Sequence, residues 1–482
     1  MKYRVYTLRS KEKECYTYGK NWSKKMEKTK RIKMDVVDAA IRKHNFYPFI
    51  ANYTEEEVKE EAARCLNCPK PLCREGCPIH NRIPDFMQKV KEGDYKAAFQ
   101  LIDGRSCFPD ICGTVCPHEK QCEGNCIRNR IDEPLAIGAI ERFIAEWATN
   151  NGLTKKKKVK STGKKVACVG GGPASMACAM RLAEAGVDVT IYDMNSALGG
   201  VMNWGIPSYR LPREMIVEHI RQLKELVVTF VPRIKVGKDI NLATLQKEND
   251  AVFLGIGARL ANDMHVEGED LDGVFKADRF LTAINMAEMD EEGRRHFPLC
   301  GKHVLVCGGG NVAMDAARSA IRLKQVEKVT VIYRRSEEEM PACSEERNHA
   351  LEEGIEFLTL HNPVAFIGKD GRVAQAECVK MKLGEVDQSG RRRPIETNDP
   401  HIFLDVDTVV LALGFNNDPL LSTKEKDLVV NKHGYYVVNE DGKTSMDHVY
   451  AGGDDTLGPD TVVRAMRAGL NSAKAILKEM GL

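Results

Sequence analysis

The clearest pattern of apolar and small residues in the chain lies between Val166 and Asp193. An apolar, β-branched run meets three glycines, an alanine-rich stretch with helical spacing follows, and a second apolar run ends in Asp193. Short apolar runs bounded by glycine predict buried strands, and the alanine-rich stretch predicts a helix between them. This region is therefore predicted to fold as strand, tight turn, helix and strand.

The same pattern returns after residue 302. The run HVLVC meets three glycines, a helical stretch follows, and KVTVIY forms the next apolar run. Two further apolar runs that lead into glycine, residues 252–257 and 401–415, predict additional buried strands. Strands that alternate with helices in this way predict parallel sheets.

Glycine-rich turns between a strand and a helix suit the pyrophosphate of a dinucleotide. Glycine lets the backbone approach the phosphates, and the helix N-terminus offers unpaired N–H groups and a positive dipole. Asp193, about 20 residues further on, is placed to accept a hydrogen bond from a ribose hydroxyl. The third motif position is Ser175 instead of glycine, and a βαβ unit without a ligand is the alternative. The candidate contacts are Gly170, Gly172, Ala174, Ser175, Asp193 and Gly200.

The second glycine turn differs from the first at the end of its following strand. Arg334 and Arg335 stand there, with no acid before Glu337. Guanidinium groups suit a 2′-phosphate, whereas an acid would suit a 2′-hydroxyl, so NADP(H) is predicted over NAD(H). The alternative is that both arginines pair with the acids of residues 337–339 at the surface. The other candidate contacts of this turn are Gly308, Gly310, Asn311 and Ala313.

Composition narrows the class of protein. The chain has 482 residues and a net charge of +2, which predicts two to four domains and gives no case for nucleic acid. There is no apolar run of a membrane-spanning length and no apolar secretory segment at the N-terminus, so a cytoplasmic protein that does not enter a membrane is expected. In a reducing compartment, clustered cysteines indicate metal binding in preference to disulfides.

Nine of the 16 cysteines fall between Cys65 and Cys126. They form two groups, Cys65-x2-Cys68-x4-Cys73-x3-Cys77-Pro78 and Cys107, Cys112-x3-Cys116-Pro117, Cys122-x3-Cys126. Zinc would use four ligands and leave several thiols spare. The closing Cys-Pro of each group instead matches the ferredoxin arrangement, so two [4Fe–4S] clusters are predicted, with zinc or purely structural cysteines as alternatives.

With these motifs, residues from about 50 to 482 resemble the small (β) subunit of bacterial NADPH-dependent glutamate synthase. The same module occurs in the large subunit of bifurcating NADH-dependent ferredoxin:NADP oxidoreductase and in the N-terminal part of dihydropyrimidine dehydrogenase. The resemblance implies that Cys107 and Cys112 are non-ligands and that Glu141 serves in place of a cysteine, although a helix-surface acid is the alternative. The implied ligands are Cys65, Cys68, Cys73 and Cys126 for one cluster and Cys77, Cys116, Cys122 and Glu141 for the other.

The C-terminal run Gly453-Asp454, followed by a predicted helix from Thr461, resembles the flavin motif of this superfamily. The resemblance assigns FAD to the first turn and NADP(H) to the second. It implies an α/β fold with an N-terminal α-helical iron–sulfur domain and two nested Rossmann-like dinucleotide-binding domains. The predicted parts are an arm (1–50, solvated or docking to a partner), the helical domain with two [4Fe–4S] clusters (51–160), a discontinuous FAD domain (161–298 and 415–482) and the NADP(H) domain (299–414).

These features predict an oxidoreductase subunit of a hetero-oligomer. The predicted reaction passes hydride from NADPH to FAD and single electrons through the clusters, and the resemblance implies a larger synthase subunit as their acceptor, so no side chain is expected to act as a catalytic acid or base. The alternative is the large subunit of a bifurcating transhydrogenase, with a small flavoprotein subunit as partner and ferredoxin as a further acceptor. A scaffold with degenerate nucleotide sites is disfavoured by the intact motifs. The absence of C-x-x-C beyond Cys126 argues against a disulfide reductase.

Overall fold

The computed structural model describes residues 29–289, 300–387 and 390–482. These residues divide into two compact units. The first contains residues 29–34 and Asn52–Leu153, and the second contains Asp35–Ala51, with the short helix α1 (Ala39–Arg42), and Thr154–Leu482.

The first unit is helical. Its helices are α2 (Glu55–Ala63), α3 (Leu72–Glu75), α4 (Ile83–Lys91), α5 (Tyr95–Asp103), α6 (Pro109–Val115) and α7 (Ile137–Asn150), with 3₁₀ turns at His118–Lys120 and Ile127–Arg130. A capping box starts α2, because the Thr54 hydroxyl accepts from the Glu57 N–H and the Glu57 carboxylate accepts from the Thr54 N–H. The apolar faces of α4, α5 and α7 form one core around Phe86, Ile102 and Ile140.

The second unit contains the remaining elements. Its strands are β1 (Lys165–Val169), β2 (Asp188–Tyr192), β3 (Thr229–Val231), β4 (Ala251–Leu254), β5 (Ala258–Ala261), β6 (Val274–Lys276), β7 (His303–Cys307), β8 (Lys328–Tyr333), β9 (Glu356–Thr359), β10 (His361–Lys369), β11 (Arg372–Val386), β12 (Arg392–Glu396), β13 (Ile402–Asp405), β14 (Thr408–Leu411), β15 (Phe415–Asn417) and β16 (Val449–Ala451). Its further helices are α8 (Pro173–Glu184), α9 (Val201–Trp204), α10 (Arg213–Glu225), α11 (Leu242–Glu248), α12 (Ala277–Met289), α13 (Asn311–Ile321), α14 (Ser344–Glu352), α15 (Leu420–Lys424), α16 (Asp454–Leu457) and α17 (Val462–Met480).

Two parallel five-stranded sheets carry the glycine turns. The first has the order β16-β4-β1-β2-β3, and the second has the order β6-β14-β7-β8-β9. Because β16 pairs with β4, the first sheet takes its last strand from after the second sheet, as expected when one domain is inserted into another. Strands β5 and β15 form a separate antiparallel pair. In the sequence, β5 follows β4 of the first sheet, and β15 follows β14 of the second sheet.

Helices α8 and α17 pack together over the first sheet. A Cβ atom on Gly469 would lie 2.0 Å from the Ala174 carbonyl oxygen, so only glycine permits this close crossing. The α/β fold class with a helical N-terminal part, predicted from the sequence, is confirmed.

Two expectations from the sequence need correction: one domain boundary and the solvated N-terminal arm. Residues 274–289 were assigned to the first nucleotide domain, but β6 pairs with β14 of the second sheet, and Phe280 and Ile284 of α12 pack in its core. The three-residue strand β6 has too short an apolar pattern to be recognised in the sequence. A four-stranded antiparallel sheet, in which β11 pairs with β10, β12 and β13, was also not predicted.

The second correction concerns the predicted solvated arm. Residues 1–28 lie outside the described residues. Residues 29–51, however, are anchored: the Ile32 N–H donates to Glu61 within the first unit, at 2.8 Å, and Arg42 is only 3% exposed within the second. Arg42 pairs with Glu353 at 2.9 Å, which explains why a basic side chain is buried there.

Candidate cofactor-binding sites

The first glycine turn lies at the carboxyl end of β1. Gly170 has a φ of 93°, and a Cβ there would lie 2.2 Å from the Gly255 carbonyl oxygen, so glycine is required. Asp193, at the end of β2, accepts hydrogen bonds from the N–H groups of Gly171 at 2.5 Å and Asn195 at 2.6 Å. Burial raises the pKa of this carboxyl. Asp193 therefore fixes the shape of the turn, in addition to its predicted role toward a ribose.

The start of α8 is open to a ligand. A Cβ on Gly172 would meet nothing within 4 Å, whereas one on Gly200 would lie 2.6 Å from the Gly172 Cα. Ala174 and Ser175 are buried. A Cβ on Gly255 would lie 2.3 Å from the Ser175 hydroxyl, so the small third residue of the motif allows close contact between helix and strand.

The C-terminal motif meets this turn, since a Cβ on Gly453 would lie 3.2 Å from the Ala174 Cβ. Burial raises the pKa of Asp454 to about 6. Thr461 is the N-cap of α17, but its buried hydroxyl caps nothing and has no hydrogen-bond partner among the described residues. An unpaired buried hydroxyl beside an open phosphate-type turn fits a bound dinucleotide, so these residues suit FAD.

Several residues of this site were not predicted. Asp455 is fully buried, one of its oxygens accepts from the Ile256 N–H at 3.0 Å, and burial raises its pKa well above its usual value. A cavity opens beside Asp193, and its walls include Tyr192, Met194, Ile234, Lys235, Arg259 and Asp418. The two consecutive acids Asp454 and Asp455 could have pointed to a role for Asp455. The cavity wall could not be predicted, because it includes an ion pair at 2.7 Å between Lys235 and Asp418, which are far apart in the sequence.

The second glycine turn follows β7. Gly308 has a φ of 145°, and a Cβ there would lie 2.4 Å from the Ala412 carbonyl oxygen. A Cβ on Gly310, by contrast, would meet only Pro341 at 3.9 Å, so this turn is also open at its helix N-terminus. Asn311 accepts from the Cys343 N–H at 2.8 Å and so shapes the wall of the site. Ala313 is fully buried against the sheet.

The two arginines after β8 have different environments. Arg334 is exposed, and it forms no ion pair within the described part of the chain. Arg335 is 5% exposed, donates to the Arg392 carbonyl oxygen at 2.8 Å and pairs with Asp387 at 2.6 Å. Neither arginine forms the predicted alternative pairs with residues 337–339 among the described contacts. Arg334 is therefore available to a 2′-phosphate, whereas Arg335 is bound to other parts of the protein, at Asp387 and the Arg392 carbonyl oxygen.

In the first unit, the four thiols predicted to hold one cluster are neighbours. Burial, followed by the charges of Cys126, Cys65 and Cys68, raises the pKa of Cys73 to about 12. Burial also raises the pKa of Cys65 and Cys68, and the charge of Cys126 adds to both effects. All these cysteines are free thiols. Neutral thiols are the favoured state without a cation, and a bound metal reverses that preference, so the group fits a cluster of iron and sulfur.

The second group gathers around Glu141 on α7. Burial raises the pKa of Glu141 to about 8, and the Asn81 amide donates to its carboxylate at 3.1 Å. Burial and then the charge of Glu141 raise the pKa of Cys77 to about 11. The pKa of Cys122 is also raised by burial, with further contributions from Cys77 and Glu141. Glu141 is 7% exposed, so it is not the surface acid considered as the alternative.

Cys116 belongs to this second group and has a neighbour that was not predicted. A hydrogen bond with Cys112, followed by burial, raises the pKa of Cys116 well above its usual value. Among the described residues, no three His, Cys, Asp or Glu side chains converge closely enough to hold a single metal ion. The ligand roles themselves stay predictions.

Together, two open dinucleotide turns and a thiol-rich helical unit define a pyridine-nucleotide oxidoreductase with an iron–sulfur module. Residues 164–469 match the family model described as pyridine nucleotide-disulphide oxidoreductase, and residues 42–153 match that of dihydropyrimidine dehydrogenase domain II, 4Fe-4S cluster. The chain belongs to the pyridine nucleotide-disulphide oxidoreductase family, in the group that contains the glutamate synthase small chains. The resemblance stated from the sequence is confirmed.

The relatives support this placement over nearly the whole chain. The NADPH glutamate synthase small chain of Halomonas elongata is 35% identical over 446 residues, which cover 91% of this chain and 94% of the relative. The NADPH-Fe(3+) oxidoreductase subunit beta of Geobacter sulfurreducens is 35% identical, covering 92% of this chain and 68% of the relative. FprA of Mycobacterium tuberculosis in complex with NADPH has a TM-score of 0.57 at 18% identity, covering 66% of this chain and 85% of that chain, which shows a shared fold.

One expectation concerns membranes. None of the helices in residues 29–289, 300–387 and 390–482 combines the length and apolar composition that a membrane-spanning segment needs.

Proposed function

We propose that this chain is the electron-input subunit of a hetero-oligomeric enzyme. It takes electrons from NADPH at the second sheet, uses FAD at the first sheet, and delivers the electrons through two [4Fe–4S] clusters to a partner subunit. The free, clustered thiols favour a reducing compartment, so the proposed location is the cytoplasm.

The observation that carries the proposal is the presence, in one chain, of two open dinucleotide turns and two groups of neighbouring thiols. Bound FAD would supply the redox chemistry, since a flavin can accept one hydride, which carries two electrons, and return those electrons one at a time, and the clusters would carry single electrons. The protein residues bind and orient these groups. Gly172 and Gly310 leave the helix N-termini open to phosphates, and Asp193 and Asn311 fix the shapes of the two turns.

The names of the relatives support the proposal that this chain assembles with a partner subunit. The Halomonas and Azospirillum brasilense relatives are small chains of NADPH glutamate synthase, and the Geobacter relative is a beta subunit. A larger synthase subunit that accepts the electrons is the proposed partner. Purification of the native complex tests this, and recovery of a small flavoprotein that reacts with NADH, together with activity toward NAD and ferredoxin, would instead favour the bifurcating transhydrogenase.

Two matched glycine variants test the assignment of the turns. Gly172 and Gly310 are equivalent N-caps with φ of −78° and −94°, and a methyl group on either meets no protein atom within 3.8 Å. Each Gly→Ala variant should therefore fold normally and narrow only its own phosphate site. Gly172→Ala is expected to lose FAD, whereas Gly310→Ala is expected to keep FAD and iron but to be reduced by NADPH about tenfold more slowly.

The readouts are flavin and iron content, and the rate at which NADPH bleaches the flavin in an anaerobic stopped-flow experiment. Dithionite reduction at the wild-type level provides the control for Gly310→Ala. Loss of FAD from Gly310→Ala, with FAD retained in Gly172→Ala, would reverse the two assignments. Unchanged FAD content and NADPH rates in both variants would contradict the proposed sites.

A further inference from the structure

The predicted ligands of the second cluster include one carboxylate, that of Glu141 on α7, and this residue is 7% exposed. Among the described residues, no lysine or arginine forms an ion pair with it, and the Asn81 amide donates to its Oε1 atom at 3.1 Å. A buried carboxylate needs a hydrogen bond or a positive charge to offset the loss of water. Here a neutral amide from another segment of the chain provides the hydrogen bond.

Asn81 is held so that its amide nitrogen faces Glu141. The residue is 1% exposed, and its Oδ1 atom accepts from the Arg82 N–H at 2.9 Å. A flipped amide would place its oxygen against the carboxylate and its NH₂ group against the Arg82 N–H, so only one orientation satisfies both contacts. The Asn81 carbonyl oxygen also accepts from the Ile83 N–H, at the start of α4, at 2.8 Å. The local fold therefore fixes the donor toward Glu141.

The backbone of Asn81 contacts a second predicted ligand. The chain turns back after Cys77, since His80 has a φ of 48° and its N–H donates to the Cys77 carbonyl oxygen at 2.9 Å. Burial and then the charge of Glu141 raise the pKa of Cys77, and hydrogen bonds from the Asn81 and Ile79 N–H groups oppose that rise. Asn81 therefore donates to Cys77 through its backbone and to Glu141 through its side chain.

We propose that Asn81 is a positioning residue of the second cluster: its amide fixes the Glu141 carboxylate as a ligand and raises the reduction potential of that cluster. This inference rests on the proposed function, in which Cys77, Cys116, Cys122 and Glu141 hold a [4Fe–4S] cluster. Reduction adds negative charge to a cluster, so a donor to one of its ligands stabilises the reduced state more than the oxidised state. Hydrogen-bond partners of a ligating carboxylate also keep it in place.

The test is Asn81→Ser, which removes the amide donor and keeps the turn, because a serine hydroxyl can still accept from the Arg82 N–H. The backbone N–H toward Cys77 is unchanged. The holoenzyme is titrated anaerobically with a reductant, and electron paramagnetic resonance follows the clusters. One of the two one-electron transitions is expected to move to lower potential by about a tenfold change in its equilibrium constant, which is about 59 mV, and the other is expected to stay in place.

Asn52→Ser is the matched control in the same unit. The Asn52 amide donates to Glu146, which is also on α7, and its Oδ1 atom accepts from the Tyr53 N–H at 3.2 Å, so Asn52 repeats the arrangement of Asn81. Glu146 is exposed and is not a predicted ligand. Asn52→Ser should therefore leave both transitions and the iron content at their wild-type values.

An unchanged titration of Asn81→Ser with its full iron content would overturn the proposal, and so would a shift to higher potential or equal shifts in Asn81→Ser and Asn52→Ser. If Asn81→Ser instead loses about four iron atoms, Asn81→Gln, which keeps an amide donor, is expected to retain them. Loss of iron from both variants at this position would show a folding defect and overturn the proposal.

The wild-type protein separates this inference from the proposed function. If wild type holds about eight iron atoms and NADPH reduces it, while Asn81→Ser titrates as wild type does, the inference fails and the proposed function survives. If wild type holds no iron, or NADPH does not reduce its iron, the proposed function itself fails.

Discussion

Replacing Glu353 with glutamine should destabilise the second unit strongly, because three arginines converge on this one buried carboxylate. Arg42 donates to it at 2.9 Å, Arg318 at 2.8 and 3.1 Å, and Arg322 at 2.7 and 3.0 Å. The side chains of Glu353, Arg318 and Arg322 are fully buried, and that of Arg42 is 3% exposed. Arg42 lies in α1, Arg318 lies in α13 and Arg322 directly follows it, and Glu353 directly follows α14, so this carboxylate joins three segments.

The magnitude follows from charge balance. Four arginines (Arg42, Arg210, Arg318 and Arg322) meet four carboxylates (Asp315, Glu346, Glu352 and Glu353) in connected ion pairs. Glu353→Gln keeps the shape but leaves one positive charge uncompensated. Removing one partner of a buried ion pair costs about 3–5 kcal/mol.

Glu352 provides the matched control. It is the preceding residue and also pairs with Arg42, but its side chain is 53% exposed. A surface pair contributes below about 1 kcal/mol, so Glu352→Gln should change stability little. Differential scanning calorimetry of the holoenzyme is expected to show a fall of about 5 °C or more for Glu353→Gln and a small change for Glu352→Gln.

The pH dependence gives a second check. Burial alone would raise the pKa of Glu353, but hydrogen bonds from Arg322 and Arg318 hold it well below its usual range. A lowered folded pKa adds stability above the unfolded pKa of about 4.3, and that stability is lost as the pH falls toward the folded value. The difference between wild type and Glu353→Gln should therefore be full near neutral pH and shrink in acid. Equal, small changes for both variants would refute the reasoning.

Three further outcomes are expected. Cys126→Ser should lower the iron content from about eight to about four atoms per chain, whereas Cys107→Ser should keep about eight; equal iron in both would remove Cys126 from the ligand set. Because burial raises the pKa of Asp454 to about 6, FAD should dissociate more readily below that pH in wild type but not in Asp454→Asn, and an identical pH profile in the two proteins would contradict the assignment. Burial, then the charge of Arg318, lowers the pKa of His349 to about 4. Because the unfolded chain binds a proton at His349 at higher pH than the folded chain does, the stability of the protein should fall as the pH drops from about 6.5 to 4. In calorimetry, His349→Gln should remove up to about 3 kcal/mol of this loss. A loss of the same size in the variant would contradict the buried, neutral state of His349.

The glycine turns were predictable because their signal is local. Strand, turn and helix lie within about 30 residues, and Gly170 and Gly308 adopt backbone conformations that glycine favours. The grouping of Cys126 with the cysteines of residues 65–73, in contrast, could not be predicted from a local pattern. Spacing alone left the partner of each thiol open, and only the family resemblance implied the set that the structure brings together.

The buried charges were not predictable from the sequence. Arg42 lies in a basic stretch that favoured a solvated arm, and its partner Glu353 is 311 residues away. Arg335 was assigned to a phosphate because of its place after β8, but its carboxylate partner lies on a hairpin 52 residues further on. Charged side chains are usually exposed, so their burial depends on tertiary partners that no local pattern indicates.

We propose that one chain holds a flavin and two iron–sulfur clusters that receive electrons from NADPH. The most direct test is the metal and flavin content of anaerobically purified protein, measured by elemental analysis and visible absorbance. The account predicts about eight iron atoms and one FAD per chain. A colourless protein, or one with zinc in place of iron, would contradict it.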